Sequence, residues 1–225
     1  MDLSFEAFVL AAATGDLAEE PMAREHADCV EFRMDLADGD PLAALADYEG
    51  ELPLLVTNRP EWEGGEAADE GRITDLVAAV EHEAVAAVDV ELHEVVGGDG
   101  LEVVDAARDA GVSVVVSVHD FEETPPRDEL RRLIERASEY GDVAKLAVTA
   151  ESLDDTLALL AVTRAHASAG RTVATMAMGE AGRHTRVVAP LYGSRIGYAP
   201  VDPKRATAPG QYDLATLSRL VGELE

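Results

Sequence analysis

The chain has 225 residues, of which 45 are acidic and 18 basic, so its formal net charge is −27 at neutral pH. A surface this negative repels phosphate groups, which excludes nucleic acids and anionic membranes as its main partners. The composition is 47% hydrophobic but only 4% aromatic, so the core must consist of alanine, valine and leucine, as in proteins that pack helices on a parallel sheet.

Short aliphatic segments alternate with segments of helical periodicity along the whole chain. Apolar residues recur at the i, i+3, i+4, i+7 spacing of an amphipathic helix over residues 73–80, 130–137 and 153–161. Thr124 and Ser152 precede two of these helices and are predicted N-caps. The predicted strands are Phe8–Ala13, Cys29–Met34, Leu52–Thr57, Ala86–Leu92, Ser113–Val118, Val143–Val148, Thr172–Met178 and Ile196–Ala199.

Eight strands that alternate with helices, without a Pro- or Ser-rich linker, predict a (β/α)8 TIM barrel, formed as a single domain over residues 1–225. The eighth unit is the least regular, because Gly197 and Pro200 interrupt it. A doubly wound open sheet is the alternative. We consider it weaker because the first strand is not followed by a Gly-rich dinucleotide fingerprint.

Lys145 is the residue that first indicates a chemical function. It is one of only two lysines in the chain, and it lies inside the apolar segment Val143–Val148. Burial disfavours the charged ammonium form, and a neutral amine is a nucleophile toward carbonyl groups. The alternative is a structural lysine, whose aliphatic stem packs in the core while its ammonium group reaches water.

Charged residues also occur at the ends of the other predicted strands. In a (β/α)8 barrel these C-terminal ends line the active site. Ion pairs inside the barrel could equally hold the strands in register, but their convergence around a buried lysine favours an active site. The residues concerned are Glu31, Arg33, Asp35, Arg59, Glu63, Asp89, Glu91, His119 and Arg186.

The order and spacing of these residues resemble the type I 3-dehydroquinate dehydratases, which are Schiff-base (β/α)8 barrels of the shikimate pathway. The resemblance implies conversion of 3-dehydroquinate to 3-dehydroshikimate and water by a homodimer. It implies no cofactor, since a lysine imine serves as the electron sink, and no metal site is predicted. The matching segments are 31–35, Arg59 with 63–65, 89–92, 117–121, 144–148, 176–179 and 208–211.

This resemblance also implies roles for individual residues. Lys145 would form the imine, His119 would be the general acid and base, and Glu63 would orient His119. The residues that would hold the hydroxyls and carboxylate of the substrate are Glu31, Arg33, Arg59, Arg186, Thr207 and Gln211. The chain departs from the family pattern at Tyr198, where phenylalanine is common, at Thr207, where serine is usual, and over residues 199–205, a stretch about two residues longer.

Two other functions remain open at this point. One is another class I Schiff-base barrel of the aldolase type. Such enzymes often bind phosphate through glycine-rich loops after strands seven and eight. This chain offers Arg183, Arg186 and Gln211 there, with Gly179 and Gly182 as the only nearby pair of glycines, which suits a carboxylate better than a phosphate. The other is a non-catalytic barrel that binds a ligand. The presence of Lys145, His119 and Glu63 together disfavours the latter.

The remaining features predict cellular context. The N-terminus lacks the basic start and cleavage site of a signal peptide, and no apolar segment reaches the length of a membrane span, so we expect a cytoplasmic protein. The lone Cys29 excludes an internal disulfide and is expected in the core. Dispersed acidic residues and the near-absence of lysine resemble the composition of salt-adapted proteins.

Overall fold

The computed structural model describes residues 3–205, 208 and 210–224. Strands and helices alternate along this part of the chain. The strands are β1 Val9–Thr14, β2 Cys29–Arg33, β3 Leu54–Thr57, β4 Val85–Glu91, β5 Ser113–Asp120, β6 Val143–Thr149, β7 Val173–Met178 and β8 Ile196–Pro200. The helices are α1 Glu20–Ala23, α2 Pro41–Ala46, α3 Arg72–Ala79, α4 Leu92–Gly97, α5 Gly100–Ala110, α6 Arg127–Ala137, α7 Leu153–Ser168, α8 Gly179–Gly182, α9 Thr185–Val188 and α10 Leu214–Gly222.

All eight strands form one parallel sheet in the order β7-β6-β5-β4-β3-β2-β1-β8. The two ends of this order meet at a parallel bridge between Val173 and Ser194, where the amide of Arg195 donates to the carbonyl of Val173 at 2.7 Å. The sheet is therefore rolled into a barrel. The predicted (β/α)8 fold is confirmed, and the alternative of an open, doubly wound sheet is wrong.

Each predicted strand matches an observed strand to within two residues at either end. The prediction ended the fifth strand too early. His119 and Asp120 still pair with Ala147 and Val148 of β6, because the backbone ladder continues where the apolar side-chain pattern has stopped. This extension places the His119 side chain on a strand, at a position fixed by the barrel.

One of the two predicted helix caps is confirmed. Ser152 caps α7 through a capping box, since its hydroxyl accepts from the amide of Asp155 and the Asp155 carboxylate accepts from the amide of Ser152. The prediction for Thr124 is wrong. Helix α6 begins after Pro126, and the Thr124 hydroxyl instead donates to the carbonyl of Thr149 at 2.8 Å.

The apolar residues form separate layers on the two faces of the barrel wall. Outward-facing residues such as Val30 and Leu146 pack against the helices. Inward-facing residues such as Leu55 and Val115 fill the barrel interior. Cys29 belongs to this interior layer, where complete burial raises the pKa of its thiol, in line with a core residue. Within the described residues, no helix is long and apolar enough to cross a membrane.

Candidate active site

A cavity opens at the C-terminal ends of the strands, above the apolar filling of the barrel. The family resemblance gave nine residues a catalytic or substrate-binding role, and eight of them line this cavity. The ninth, Thr207, lies outside the described residues. The eight are Glu31, Arg33, Arg59, Glu63, His119, Lys145, Arg186 and Gln211.

Lys145 projects from β6 into this cavity and is only 5% exposed. Its Nζ lies 2.8 Å from Oδ2 of Asp89 on β4. The ring of Tyr198 on β8 faces the same nitrogen, with 4.3 Å between Nζ and the ring centroid. Carboxylate and ring face both attract a cation. The amine is held inside the barrel, so the alternative of a lysine that extends to water is wrong.

Asp89 links this lysine to the other strands. It is fully buried, and its other oxygen accepts from Arg59 at 2.7 Å and from the Ser117 hydroxyl at 2.6 Å. Burial alone would raise the pKa of Asp89, but the charges of Arg59 and Lys145 hold it below the ordinary range. Asp89 is therefore ionised at neutral pH. The sequence placed Asp89 in the barrel interior but gave it no role, because its partner lies 56 positions away.

Arg59 follows β3 and organises the floor of the cavity. One of its terminal nitrogens donates to Glu91 at 2.6 Å and to Ser117 at 2.8 Å, and the other donates to Asp89 at 2.7 Å. Burial would lower the pKa of Arg59, but the charges of Asp89 and Glu91 raise it. The predicted role in substrate binding remains a prediction, and the structure adds a second role in holding two carboxylates.

His119 and Glu63 form a contact at the rim of the cavity. One oxygen of Glu63 accepts from the backbone amide of His119 at 2.7 Å and lies 3.1 Å from Nδ1 of its ring. Burial, followed by the charges of Arg59 and Lys145, holds the pKa of His119 well below its ordinary value. The imidazole is thus neutral at neutral pH. A proton on Nδ1, shared with the carboxylate, leaves Nε2 with a free lone pair.

The loop that carries Glu63 depends on the two glycines that follow. Gly64 ends a 3-10 turn over Glu61–Glu63 with φ +80°, a left-handed conformation that favours glycine. A Cβ on Gly65 would overlap the backbone carbonyl of Arg59. This close approach brings the Glu63 carboxylate to His119. Burial there, together with the charge of Glu91, raises the pKa of Glu63 to about 7, although the charge of Arg59 acts in the opposite direction.

The opposite wall carries the residues predicted to hold the substrate. Glu31 accepts from the Thr57 hydroxyl at 3.0 Å. Arg33 makes a bidentate contact with Asp35 at 2.8 and 2.6 Å, so its charge is already balanced where it borders the cavity. Arg186 is buried, and burial lowers its pKa to about 10, which leaves it protonated at neutral pH.

Three more residues shape the mouth and floor of the cavity. The Gln211 side-chain carbonyl accepts from the amide of Ala208 at 3.2 Å. Met176 and Met178 line the cavity and also pack in the barrel interior. Among residues 3–205, 208 and 210–224, no three His, Cys, Asp or Glu side chains are placed to hold a metal ion.

Known proteins match both the sequence and this architecture. A model of the type I 3-dehydroquinase family matches residues 9–224. The 3-dehydroquinate dehydratase of Haloarcula marismortui is 60% identical, with 99% of each chain covered. That of Halobacterium salinarum is 52% identical, covering 99% of this chain and 100% of the relative. The crystal structure of type I 3-dehydroquinate dehydratase from Clostridium difficile with covalently modified comenic acid gives a TM-score of 0.86 at 26% identity, over 97% of this chain and 92% of that one. Our chain belongs to the type I 3-dehydroquinase family.

Proposed function

We propose that the chain dehydrates 3-dehydroquinate to 3-dehydroshikimate through an imine on Lys145. The hydro-lyase activity and its place in the shikimate pathway follow from membership of the family and from relatives of that name. The observation that carries the mechanism is the position of Lys145, buried in the cavity beside Asp89 and bordered by His119. Membership of the type I 3-dehydroquinase family argues against the two alternatives, an aldolase-type enzyme and a non-catalytic binding protein.

The first step joins Lys145 to the substrate. After loss of its proton, Nζ attacks the C3 ketone and forms a carbinolamine, which expels water to leave an iminium ion. The positive charge on nitrogen withdraws electrons from the neighbouring carbon and makes the C2 proton acidic. Asp89, which contacts Nζ at 2.8 Å, stabilises each cationic form of that nitrogen.

The second step moves one proton. Nε2 of neutral His119 accepts the C2 proton, and the resulting enamine expels the C1 hydroxyl, which leaves as water after accepting that proton from His119. Glu63 orients the imidazole and stabilises its transient charge through the contact at Nδ1. Hydrolysis of the product imine returns Lys145 and releases 3-dehydroshikimate.

We assign substrate binding to the wall opposite His119. The guanidinium of Arg186 matches a carboxylate in shape and charge. The Glu31 carboxylate can accept hydrogen bonds from hydroxyls, and the Gln211 amide can both accept and donate them. Arg33 already pairs with Asp35, so it would contribute through its remaining donors. Thr207, outside the described residues, keeps the hydroxyl that serine supplies in the family.

A direct assay with 3-dehydroquinate, which follows the conjugated enone product in the ultraviolet at high salt, tests the activity and its pH dependence. Glu63 can stabilise the charge that develops on the His119 ring only when it is ionised, and its pKa is raised to about 7. We therefore expect kcat/KM to fall as the pH drops through about 7. The pKa of His119 lies well below its ordinary value, so His119 is not the origin of this decrease.

Glu63→Gln provides the control for that assignment. This substitution removes the titrating carboxylate but keeps a side chain of similar size with one acceptor oxygen. The variant should therefore have a lower kcat/KM at every pH, and its kcat/KM should no longer decrease near pH 7. A variant that retains the decrease at the same pH would show that another group titrates there.

The acidic surface supports a salt requirement, which the relatives from Haloarcula and Halobacterium fit. At low ionic strength a formal charge of −27 repels itself. Screening shortens the Debye length to about 3 Å at 1 M salt. We expect both the melting temperature and the activity to rise from dilute buffer to molar KCl. A flat or falling profile in a thermal melt and parallel assay would contradict this adaptation.

We also propose that the chain acts as a homodimer in the cytoplasm and forms a single catalytic domain. The dimer is supported by the family resemblance, and the cytoplasmic location by the biosynthetic role of the family. Sedimentation in molar salt, at concentrations used for the assay, distinguishes a dimer from a monomer.

A further inference from the structure

Arg72 is a buried arginine that does not line the active-site cavity. It begins helix α3, and only 2% of it is exposed. One terminal nitrogen donates to Glu91 at 2.7 Å and to the carbonyl of Asn58 at 3.2 Å, and the other lies 3.6 Å from the Glu94 carboxylate. Such an arrangement fixes the guanidinium in one position behind the cavity floor.

Glu91 connects Arg72 to the reacting lysine. One of its oxygens accepts from Arg72 at 2.7 Å and the other from Arg59 at 2.6 Å. Arg59 also donates to Asp89 at 2.7 Å, and Asp89 contacts Lys145 at 2.8 Å. All five side chains are at most 6% exposed. They form a row of alternating charge that begins at Arg72 and ends at Nζ.

The number of positive and negative charges in this row, compared before and after Lys145 loses its proton, indicates a function for Arg72. While Lys145 is an ammonium, three cations face the two carboxylates Asp89 and Glu91. When Lys145 gives up its proton to become a nucleophile, Arg59 and Arg72 remain, and the charges balance. Without Arg72, the same deprotonation would leave two buried carboxylates with one cation, which is unfavourable in a buried environment.

We propose that Arg72 is a positioning residue for the dehydratase reaction: by neutralising Glu91 it keeps Arg59 on Asp89 and allows Lys145 to become neutral. This inference rests on the proposed imine at Lys145. The positions at strand ends, from which the other site residues were predicted, do not include Arg72. Arg72 belongs to helix α3 and reaches the row from outside the barrel wall.

The same row acts on the carboxylate that orients His119. Glu63 is surrounded by the charges of Arg59, Glu91 and Asp89 and by the amide and ring of His119. Arg59 lowers the pKa of Glu63, whereas Glu91 and Asp89 raise it. Loss of the Arg72 charge would leave Glu91 less neutralised, so Glu63 would keep its proton at higher pH.

The test compares Arg72→Met, Arg72→Gln and Arg72→Lys by complete pH profiles of kcat and KM at high salt. Both uncharged variants should lose about 10- to 100-fold in kcat, the range found when a supporting residue behind an active site is removed, with little change in KM. The acid side of the kcat/KM profile should move to higher pH by roughly half a pH unit or more. Arg72→Lys, which keeps the charge, should recover most of both effects.

Arg24→Met is the matched control, because it removes an arginine from the buried carboxylate Glu20 in a region that does not border the cavity. It should lower the melting temperature and leave the pH profile in place. If Arg72→Gln, which can still donate to Glu91, behaves like this control, the role of Arg72 is structural and the proposal is overturned. Absence of a borohydride-trapped adduct on Lys145 in the unaltered chain would instead refute the proposed function.

Discussion

Incubation with 3-dehydroquinate and borohydride should attach a reduced adduct to Lys145. Replacement by alanine should prevent the adduct and lower turnover by roughly 10⁴-fold or more, since loss of the nucleophile removes the covalent route. Peptide mass mapping can locate the adduct without ambiguity, because Lys204 and the N-terminus carry the other amines of the chain. The effect is large because no other amine lies in the described part of the cavity wall.

Two variants serve as controls for this experiment. Lys145→Arg keeps a cation next to Asp89, and therefore the buried ion pair, but a guanidinium does not lose its proton in proteins. It should fold and remain inactive, which separates nucleophilicity from charge. Lys204→Ala changes an exposed residue in the 3-10 turn Pro203–Arg205 and should be fully active. An adduct on Lys204, or turnover in Lys145→Ala, would refute the imine mechanism.

Replacement of His119 by alanine should slow turnover by about 10²- to 10⁴-fold, the usual contribution of a general acid and base. The imine should still form, because Lys145 and its contact with Asp89 do not depend on the imidazole. Intact mass after mixing with substrate should therefore show accumulated adduct with little product. The neutral state of His119, whose pKa is lowered chiefly by burial, is what permits it to accept the C2 proton.

Glu63→Ala is the companion variant for His119. It removes the group that orients the ring but leaves the base itself, so the loss of turnover should be smaller than in His119→Ala. Normal turnover in His119→Ala would mean that the base has been misassigned. Glu31, which also lines the cavity, would then be the candidate.

The fold could be predicted because each sequence pattern that marks a strand or a helix lies within one short segment of the chain. A strand such as β6 is marked by an aliphatic run, and a helix such as α7 by its apolar spacing and the Ser152 cap. Alternation of eight such pairs leaves few arrangements that bury every apolar face. The positions of Lys145 and His119 followed from the same argument, since strand ends converge at one rim of a barrel.

The partners of the charged side chains could not be predicted in this way. Arg33 lines the cavity and also pairs with Asp35 two residues along the chain, a contact not assigned from the sequence. Arg59 pairs with carboxylates 30 and 32 positions away. An arginine carries several donors on a long, flexible side chain. Sequence periodicity therefore predicts which face of a strand or helix its side chain leaves, but not which partner its guanidinium contacts.

The sequence by itself determined the barrel, the buried lysine and the set of residues at its rim, because these depend on apolar periodicity and on which residues end a strand. Only the tertiary structure decided that Asp89 holds Lys145, that Glu63 contacts both the amide and the ring of His119, and that Arg72 reaches Glu91 from a helix. Those contacts depend on the register of neighbouring strands and on the packing of α3 against the barrel. Distances of about 3 Å between charged atoms arise only when the whole barrel has closed.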